Sequence, residues 1–474
     1  MDKITPRGED YSKWYQSVVS AAELASYTDV PGCMILEPNG WGIWERIQQV
    51  FDKRIKATGH KNAQFPMLIP LSYIQKAQDH IEGFAPQLAM VEKLGGKQLE
   101  DPLVLRPTSE TIIHTYFAKK VQSRKDLPIL INQWANVFRM EMRTRPFLRT
   151  MEFFWQEGHT AHATEEEAIE EVLKMLGQYR EFIEQTLAIP CITGEKSAIE
   201  RFAGADKTFT VETMMQDIKA LQSATSHYLG QTFSKAFGIS FEEDEEERFA
   251  HLTSWGMSTR IIGATVMSHS DDKGLVLPPN VAPTQAALLM VRDSQSTGDS
   301  RIATLQNRVC DALGNLDIRY EVDNTDERLG RKQFKWEKYG VPLRIVIGTK
   351  EAESDSITVI RRDTSNRETI SADAMDRLPE VLNNFQSNLF NQGVERLKAN
   401  SVCLETYDEV VRAFEEGNKF VYTGWAGSSE DERKLKTDLG ITIRCVPQEQ
   451  QSDVKICFMT GKPAREQVLL AKAY

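Results

Sequence analysis

The sequence predicts a chain of mixed α and β structure in three parts: a large domain alternating helix and strand over residues 1–284, a compact α/β domain over 285–395, and a small module of one helix and short strands over 396–474. Three observations predict it. At about 150 residues per domain, 474 residues allow roughly three cores. Up to the Pro-rich stretch LVLPPNVAPT (275–284), helical and strand-like segments alternate without a flexible linker. Beyond it the pattern changes to short β-rich runs, AALLMV, IRYEV, LRIVIG and SITVIRR, separated by helical segments, and the last 80 or so residues add the helix YDEVVRAFEEG and the tail VLLAKAY.

Composition narrows the class. Apolar residues at 41% and charged residues at 26% belong to a globular chain, and no apolar run approaches the ~20 residues that cross a bilayer. The N-terminus has no hydrophobic signal region, and six scattered cysteines do not make a disulfide framework in so long a chain, which places the protein in the cytoplasm, with no membrane partner. The net charge of −11 is not the footprint of a nucleic-acid binder, but the sign changes locally. FEEDEEER (241–248) reads as an acidic surface loop, whereas RLGRKQFKWEK (328–338) interleaves basic residues with Phe334 and Trp336 and suits either a packed helix or stacking on RNA.

Within the large domain the clearest helix is 164–187, with Thr164 and Glu167 as a capping box and Ile169, Val172, Leu173, Leu176 and Phe182 as its apolar stripe. Chemistry concentrates in three other segments. In 132–160, a strand QWANVFRMEM puts Val137, Arg139 and Glu141 on one face, RTRPFL turns, and MEFFWQEGH returns with Phe153, Trp155, Glu157 and His159 aligned. Burying Arg and Glu is costly unless a ligand or a partner satisfies them, so the hairpin reads as a site or as a salt-bridged surface. In LVLRPTSETIIHTYFAKKV (103–121) a strand breaks at Pro107 and a helix follows, with Thr108 or Ser109 as N-cap and Glu110 in the first turn, or with Glu110 facing a cationic ligand. In TSWGMSTRIIGATVMSHSDDKGLVLPP (253–279), Gly256 and Gly263 flank Arg260 at a helix start, which suits a polyphosphate. GxxxxGK[ST] is absent, which excludes a Walker-type site, and His269, Asp271 and Asp272 read as an exposed turn rather than metal ligands.

In this order the segments resemble the signature regions of class II aminoacyl-tRNA synthetases, specifically the prolyl-tRNA synthetases of the short type found in archaea, eukaryotes and some bacteria. The resemblance runs from YSKWYQSVVSAAELASYTDVPG through GHKNAQFPMLIP, LRPTSET, FRMEMRTRPFLRT, WQEGHTAHAT, ATSHYLGQTFSKAF and SWGMSTRIIG to KICFMTGKPAREQVLLAKAY. It implies an α+β catalytic domain (an antiparallel sheet with flanking helices), an α/β anticodon-binding domain and a small α+β C-terminal module. It also implies ligation of L-proline to tRNA(Pro) through a prolyl adenylate, with ATP and Mg²⁺, in a homodimer. Arg139 would contact the α-phosphate and the proline carboxylate, Glu141 the adenine amino group, Arg149 and Thr150 the ATP, and Arg260 the γ-phosphate. Thr108 and Glu110 would bind the imino nitrogen, with Trp155, Glu157, His159, His227 and Ser258 around the ring and Gln222 and Thr225 bridging to the nucleotide. Phe65, Met67, Leu68 and Ile69 would form an apolar dimer contact, and Arg328, Arg331, Lys332, Lys335 and Lys338 would carry tRNA binding.

The chain departs from the family at Met151, Ala224 and Ser270. Only about ninety residues separate the second and third signatures, too few for an inserted editing domain. The family often carries a Cys-rich zinc site in its last module, but here Trp425, Ala426 and Gly427 lead to no second cysteine and downstream only Cys445 and Cys457 remain, which even with Cys403 upstream fall short of four ligands, so no bound metal is expected. The module would pack on Phe420, Val421, Ile441, Ile443, Ile456, Val468 and Leu469, with Tyr474 reaching back to the catalytic domain. Two other readings stand beside this one: a paralogue that activates an amino acid for a different acceptor, and a catalytically silent regulator.

Overall fold

The computed structural model describes residues 3–78, 87–291, 300–450 and 455–474. Its spine is an 11-stranded sheet. The C-terminal strands Ser401–Cys403, Phe420–Trp425, Glu466–Ala471 and Thr442–Pro447 lead onto Cys191–Glu195, Lys207–Met214, Ala220–Gly230, His251–Ser258, Glu152–His162, Ile129–Phe138 and Lys61–Asn62. Every pairing is antiparallel except the two outermost.

Alternation along these strands sorts residues onto two faces. Trp255 and Met257 face a core completed by Trp14, Trp44, Phe51, Val172, Tyr179, Phe182 and Ile262 from the helices Tyr11–Ala21, Pro38–Ala57, Glu165–Leu187 and Arg260–His269. On the other face Ala161, Leu229 and Leu252 enter a second core under the Glu110–Lys120 and Thr232–Phe237 helices, and beside it the sheet lies open as a cavity. Trp255 lies directly across the backbone at Gly158, where a Cβ would meet its indole at 2.0 Å, so only glycine lets the two strands and the ring coexist.

The 164–187 helix forms as expected, Thr164 accepting from the Glu167 amide, but Leu173 is exposed and the buried stripe continues through Met175, Tyr179 and Ile183 instead. FEEDEEER is not a loop: Ser240–Glu243 and Glu246–Phe249 pair as a hairpin, with Glu243 held by Arg124 and Arg248. A second, five-stranded sheet, ordered Tyr320–Asp323, Ala286–Met290, Leu343–Ile347, Ser356–Arg361 and Arg367–Ser371, contains all four β-rich runs after the Pro-rich stretch. It is tied to the first by buried Arg362, whose two terminal nitrogens reach Asp271 at 2.8 and 2.7 Å. The 269–272 segment is therefore a clamp, not an exposed turn: His269 Nε2 meets the Leu187 carbonyl at 2.7 Å, and only Asp272 is exposed.

Several residues read as surface are core. Phe65 and Ile69 are buried, leaving Met67 exposed and Leu68 half-buried. Lys332 is buried because its ammonium bonds the Met290 and Asp323 carbonyls at 2.8 and 3.0 Å, and Lys338 is buried as well. In the C-terminal module Phe420, Val421, Ile441, Ile443, Val468 and Leu469 are buried, but Ile456 is exposed. Tyr474 does reach back, its hydroxyl donating to Asp217 at 2.7 Å and its amide to the Ala220 carbonyl at 3.1 Å.

The module joins the main sheet where Val446 and Pro447 pair with Glu195 and Gly194. A Cβ at Gly194 would meet the Val446 carbonyl oxygen at 2.3 Å and Cys445 Sγ at 2.8 Å. Gly194→Val should cost roughly 2–3 kcal/mol of stability by overpacking this junction. Calorimetry should find a lowered Tm, and limited proteolysis should cut more readily near 447–466.

Candidate active site

The cavity on the open face has a volume of about 250 Å³. Its floor comes from the Glu152–His162 strand, which presents Phe153, Trp155, Glu157 and His159 on one face as the period-two reading requires. The partner strand differs from expectation. It ends at Phe138 rather than Met142: the Arg139 amide still pairs with the Met151 carbonyl at 2.7 Å, but the Met151 amide turns to the Gly32 carbonyl at 2.8 Å, which stops the ladder short of Glu141. Arg139 nevertheless enters the cavity: Nε donates to the Pro107 carbonyl at 2.7 Å, and the guanidinium lies 5.4 and 5.2 Å from the Phe153 and Trp155 ring centres. Among the described residues its terminal nitrogens make no hydrogen bond within the chain.

Glu157 is the buried hub. It accepts from Ser109 and Gln133 and sits 2.8 Å from His159 Nε2. Ser109 precedes the Glu110–Lys120 helix but does not cap it with its side chain; the hydroxyl is spent on Glu157, which overturns the capping reading. Thr108 likewise donates to Glu110. Burial is the largest influence on both members of the Glu157–His159 pair and opposes both charges. The mutual hydrogen bond and the donors outweigh it, lowering the Glu157 carboxyl and raising His159 above 6.5. His227 goes the other way, to about 3, through burial and the nearby His159 and Arg139 charges; its ring packs 4.8 Å from Phe202. Among the described residues, buried polar atoms on this wall without a partner include Trp155 Nε1, His159 Nδ1 and Ser254 Oγ.

Thr108, Glu110, Arg139, Trp155, Glu157, His159, Gln222, Thr225, His227, Ser258 and Arg260 all line this cavity. A second cavity of about 300 Å³ is lined by Arg143, Arg145, Arg149 and Tyr474, and Arg260 borders both. Arg260 opens its helix, donates Nε to the Leu148 carbonyl at 3.2 Å, and has its pKa lowered to about 10 by burial and by Arg139 and Arg149. Concentrated, mutually repelling cations of this kind are stabilised by a bound anion. Glu141 and Thr150 line neither cavity; the Glu141 carboxylate accepts from the Arg143 amide at 2.9 Å. Sequence reasoning missed Ser109 and Gln133, although Gln133 is registered opposite Glu157, and it missed Phe202 and Thr208, for which no sequence signal exists.

Residues 91–269 match the tRNA synthetase class II core domain (G, H, P, S and T), 285–381 the anticodon binding domain and 407–474 the prolyl-tRNA synthetase C-terminal domain. A proline–tRNA ligase of Roseiflexus sp. is 46% identical over 479 residues, covering 99% of each chain. The chain belongs to the prolyl-tRNA synthetase family. The chloroplastic/mitochondrial proline–tRNA ligase of Arabidopsis thaliana is 44% identical over 99% of this chain and 88% of its own. Prolyl-tRNA synthetase from Cryptosporidium parvum, solved with L-proline and AMP and also with halofuginone and AMPPNP, superposes with a TM-score of 0.92 at 36% identity over 99% of both chains. The fold is accordingly that of a class II synthetase core with its anticodon-binding and C-terminal domains.

The Glu157–His159 pair gives this family member a testable titration. The stabilisation that His159 contributes is complete below pH 6.5 and is lost as pH rises through its raised folded value; that of Glu157 is present above 4.5 and is lost as pH falls through its lowered one. In Glu157→Gln the bonded partner is gone, and burial, the largest influence, is opposed only by the charge of Glu110. The His159 ring resonance, followed by NMR, should then titrate below 6.5 instead of above it.

Proposed function

We propose that the chain ligates L-proline to tRNA(Pro) in two steps: the proline carboxylate attacks the α-phosphorus of ATP, pyrophosphate leaves, and the terminal ribose hydroxyl of the tRNA captures the prolyl group from the adenylate. The observation that carries this is Arg260 bordering both cavities, one small and acid-floored, the other lined by arginines. The first fits a small cationic ring and the second a polyphosphate. In-line displacement needs positioning and charge stabilisation rather than a covalent nucleophile.

Glu110 and Thr108 take the imino nitrogen, Trp155, His159, His227 and Ser258 wall the ring, and the terminal nitrogens of Arg139 meet the carboxylate and the α-phosphate. Arg149 and Arg260 hold the outer phosphates, Gln222 and Thr225 bridge the two substrates, and Glu141 and Thr150 meet the adenine amino group and the ATP from the 139–151 loop. Among the described residues no group of three or more His, Cys, Asp or Glu side chains is disposed to hold a metal ion. Mg²⁺ would come in on the ATP phosphates.

The short type is favoured because residues 163–250 are taken up by one long helix, three strands of the main sheet, a short helix and the acidic hairpin, leaving no room for an inserted editing domain. The division at 284 follows the Pro-rich stretch, whereas 395 falls inside the Leu378–Ala399 helix, so the second boundary is moved to the end of that helix. A homodimer would use exposed Met67 together with Met90 and Leu94 on the adjoining small sheet, not Phe65 or Ile69. The cytoplasm is its place of work, and among the described residues no helix is long and apolar enough to cross a membrane.

Proline-dependent ATP–pyrophosphate exchange and charging of purified tRNA(Pro) test the reading: exchange without charging would favour the paralogue, and neither would favour the silent regulator. Arg139→Ala should lower exchange at least about a hundredfold, on the order of 3 kcal/mol of transition-state stabilisation, with the fold intact by circular dichroism. Glu110→Gln should raise KM for proline far more than KM for ATP; equal effects would contradict its role at the imino nitrogen. For tRNA binding, neutralising exposed Arg328 and Arg331 with half-buried Lys335 should flatten the salt dependence by roughly 0.7–0.9 log units for each phosphate left without its cation, measured by filter binding, whereas Lys332 is unavailable. Sedimentation at micromolar concentration decides the dimer.

A further inference from the structure

Two β-bulges lie on either side of the Cys191–Glu195 strand, one inside the C-terminal module and one in the main sheet. In the first, Ile443 is opposite Leu470 and Cys445 opposite Leu469, which leaves Arg444 as the extra residue. Its neighbours Ile443 and Cys445 enter apolar clusters, while Arg444 reaches out of its strand to Glu212, with Nε and Nη2 each 3.1 Å from a carboxylate oxygen. In the second, Val211 is opposite Ala224 but Glu212 is opposite Gln222, leaving Ser223 extra. Ala224 and Tyr228 face the helix-side core, and Ser226 bonds the Val172 carbonyl there. Plain alternation would put Gln222 on that side too. The bulge turns it into the cavity and sends Leu221 to the core, and Thr213 Oγ1, 2.8 Å from Ser223 Oγ, holds it in place. Re-aiming a side chain beside a site is what bulges do.

Glu212 connects the two. Fully buried, it also takes Lys196 at 2.8 Å and Thr210 at 2.9 Å. Lys196 alone would neutralise it, so Arg444 is a second cation for one anion. We propose that Arg444 is a positioning residue for proline activation: from the C-terminal module it locks Glu212, and through Glu212 the bulge that aims Gln222 at the substrates. The surplus positive charge lies where Arg260 feels both Arg444 and Glu212, so it also favours a phosphate at that end of the cavity. The proposal rests on reading the cavity as the proline and ATP site.

The test is a double-mutant cycle in the full chain, with Arg444→Met and Gln222→Ala measured singly and together by proline-dependent ATP–pyrophosphate exchange. Arg444→Met leaves Glu212 paired with Lys196, so it should fold, as thermal unfolding would verify. Each single change should lower kcat/KM for ATP by about tenfold or more, and the double variant should lose little beyond the worse single, because both act through one side chain. Arg444→Lys should recover most of the loss. Should Arg444→Met fail to fold, Thr213→Val, which loosens the same bulge with the ions in place, takes its position in the cycle. Losses that multiply, or exchange within about twofold of wild type in a folded Arg444→Met, would overturn the proposal. Absence of exchange in the wild-type chain would instead sink the reading of the cavity, and the positioning role with it.

Discussion

The burial of the Glu157 carboxylate is the constraint around which the site is built. An ionised carboxylate loses several kcal/mol of hydration when it leaves water, and only a full set of donors and an opposite charge restore it. Ser109 comes from the start of one helix, Gln133 from the neighbouring strand and His159 from two places along its own strand. Satisfying one anion therefore fixes the helix that carries Glu110 and aligns the floor residues. The price is local: Ser109 no longer caps its helix.

Electrostatics divides the rest of the cleft. Acid lies at one end and arginine at the other, with Arg139 between them, braced by the Pro107 carbonyl and two aromatic faces. Arg139 and Arg260 are held by hydrogen bonds from Nε to backbone carbonyls, which orient each guanidinium without neutralising it. That is the arrangement expected of groups meant to meet charge that develops on a substrate.

Much of this was legible in the sequence because period and charge coincide there. Trp155, Glu157 and His159 fell on one face, and four β-rich runs after the Pro-rich stretch became four strands. What was not legible depends on contacts between distant segments. Nothing local says that Lys332 is spent on two carbonyls, that Asp271 is clamped by Arg362 ninety-one residues later, or that Phe65 packs inward. The end of the strand at Phe138 follows from the Met151 amide, which turns to the distant Gly32 carbonyl, and the Gln222 orientation from a bulge that period-two reading passes over.

The continuity of the main sheet also sets an order of assembly. The Cys191–Glu195 strand has one neighbour in Lys207–Met214, but its other edge pairs only with Thr442–Pro447. On a ribosome adding about 5–20 residues per second, that edge waits on the order of tens of seconds for its partner to be made. An unpaired strand edge is a template for wrong pairing, so the nascent chain is most exposed to aggregation after its catalytic half has folded and before its last module emerges.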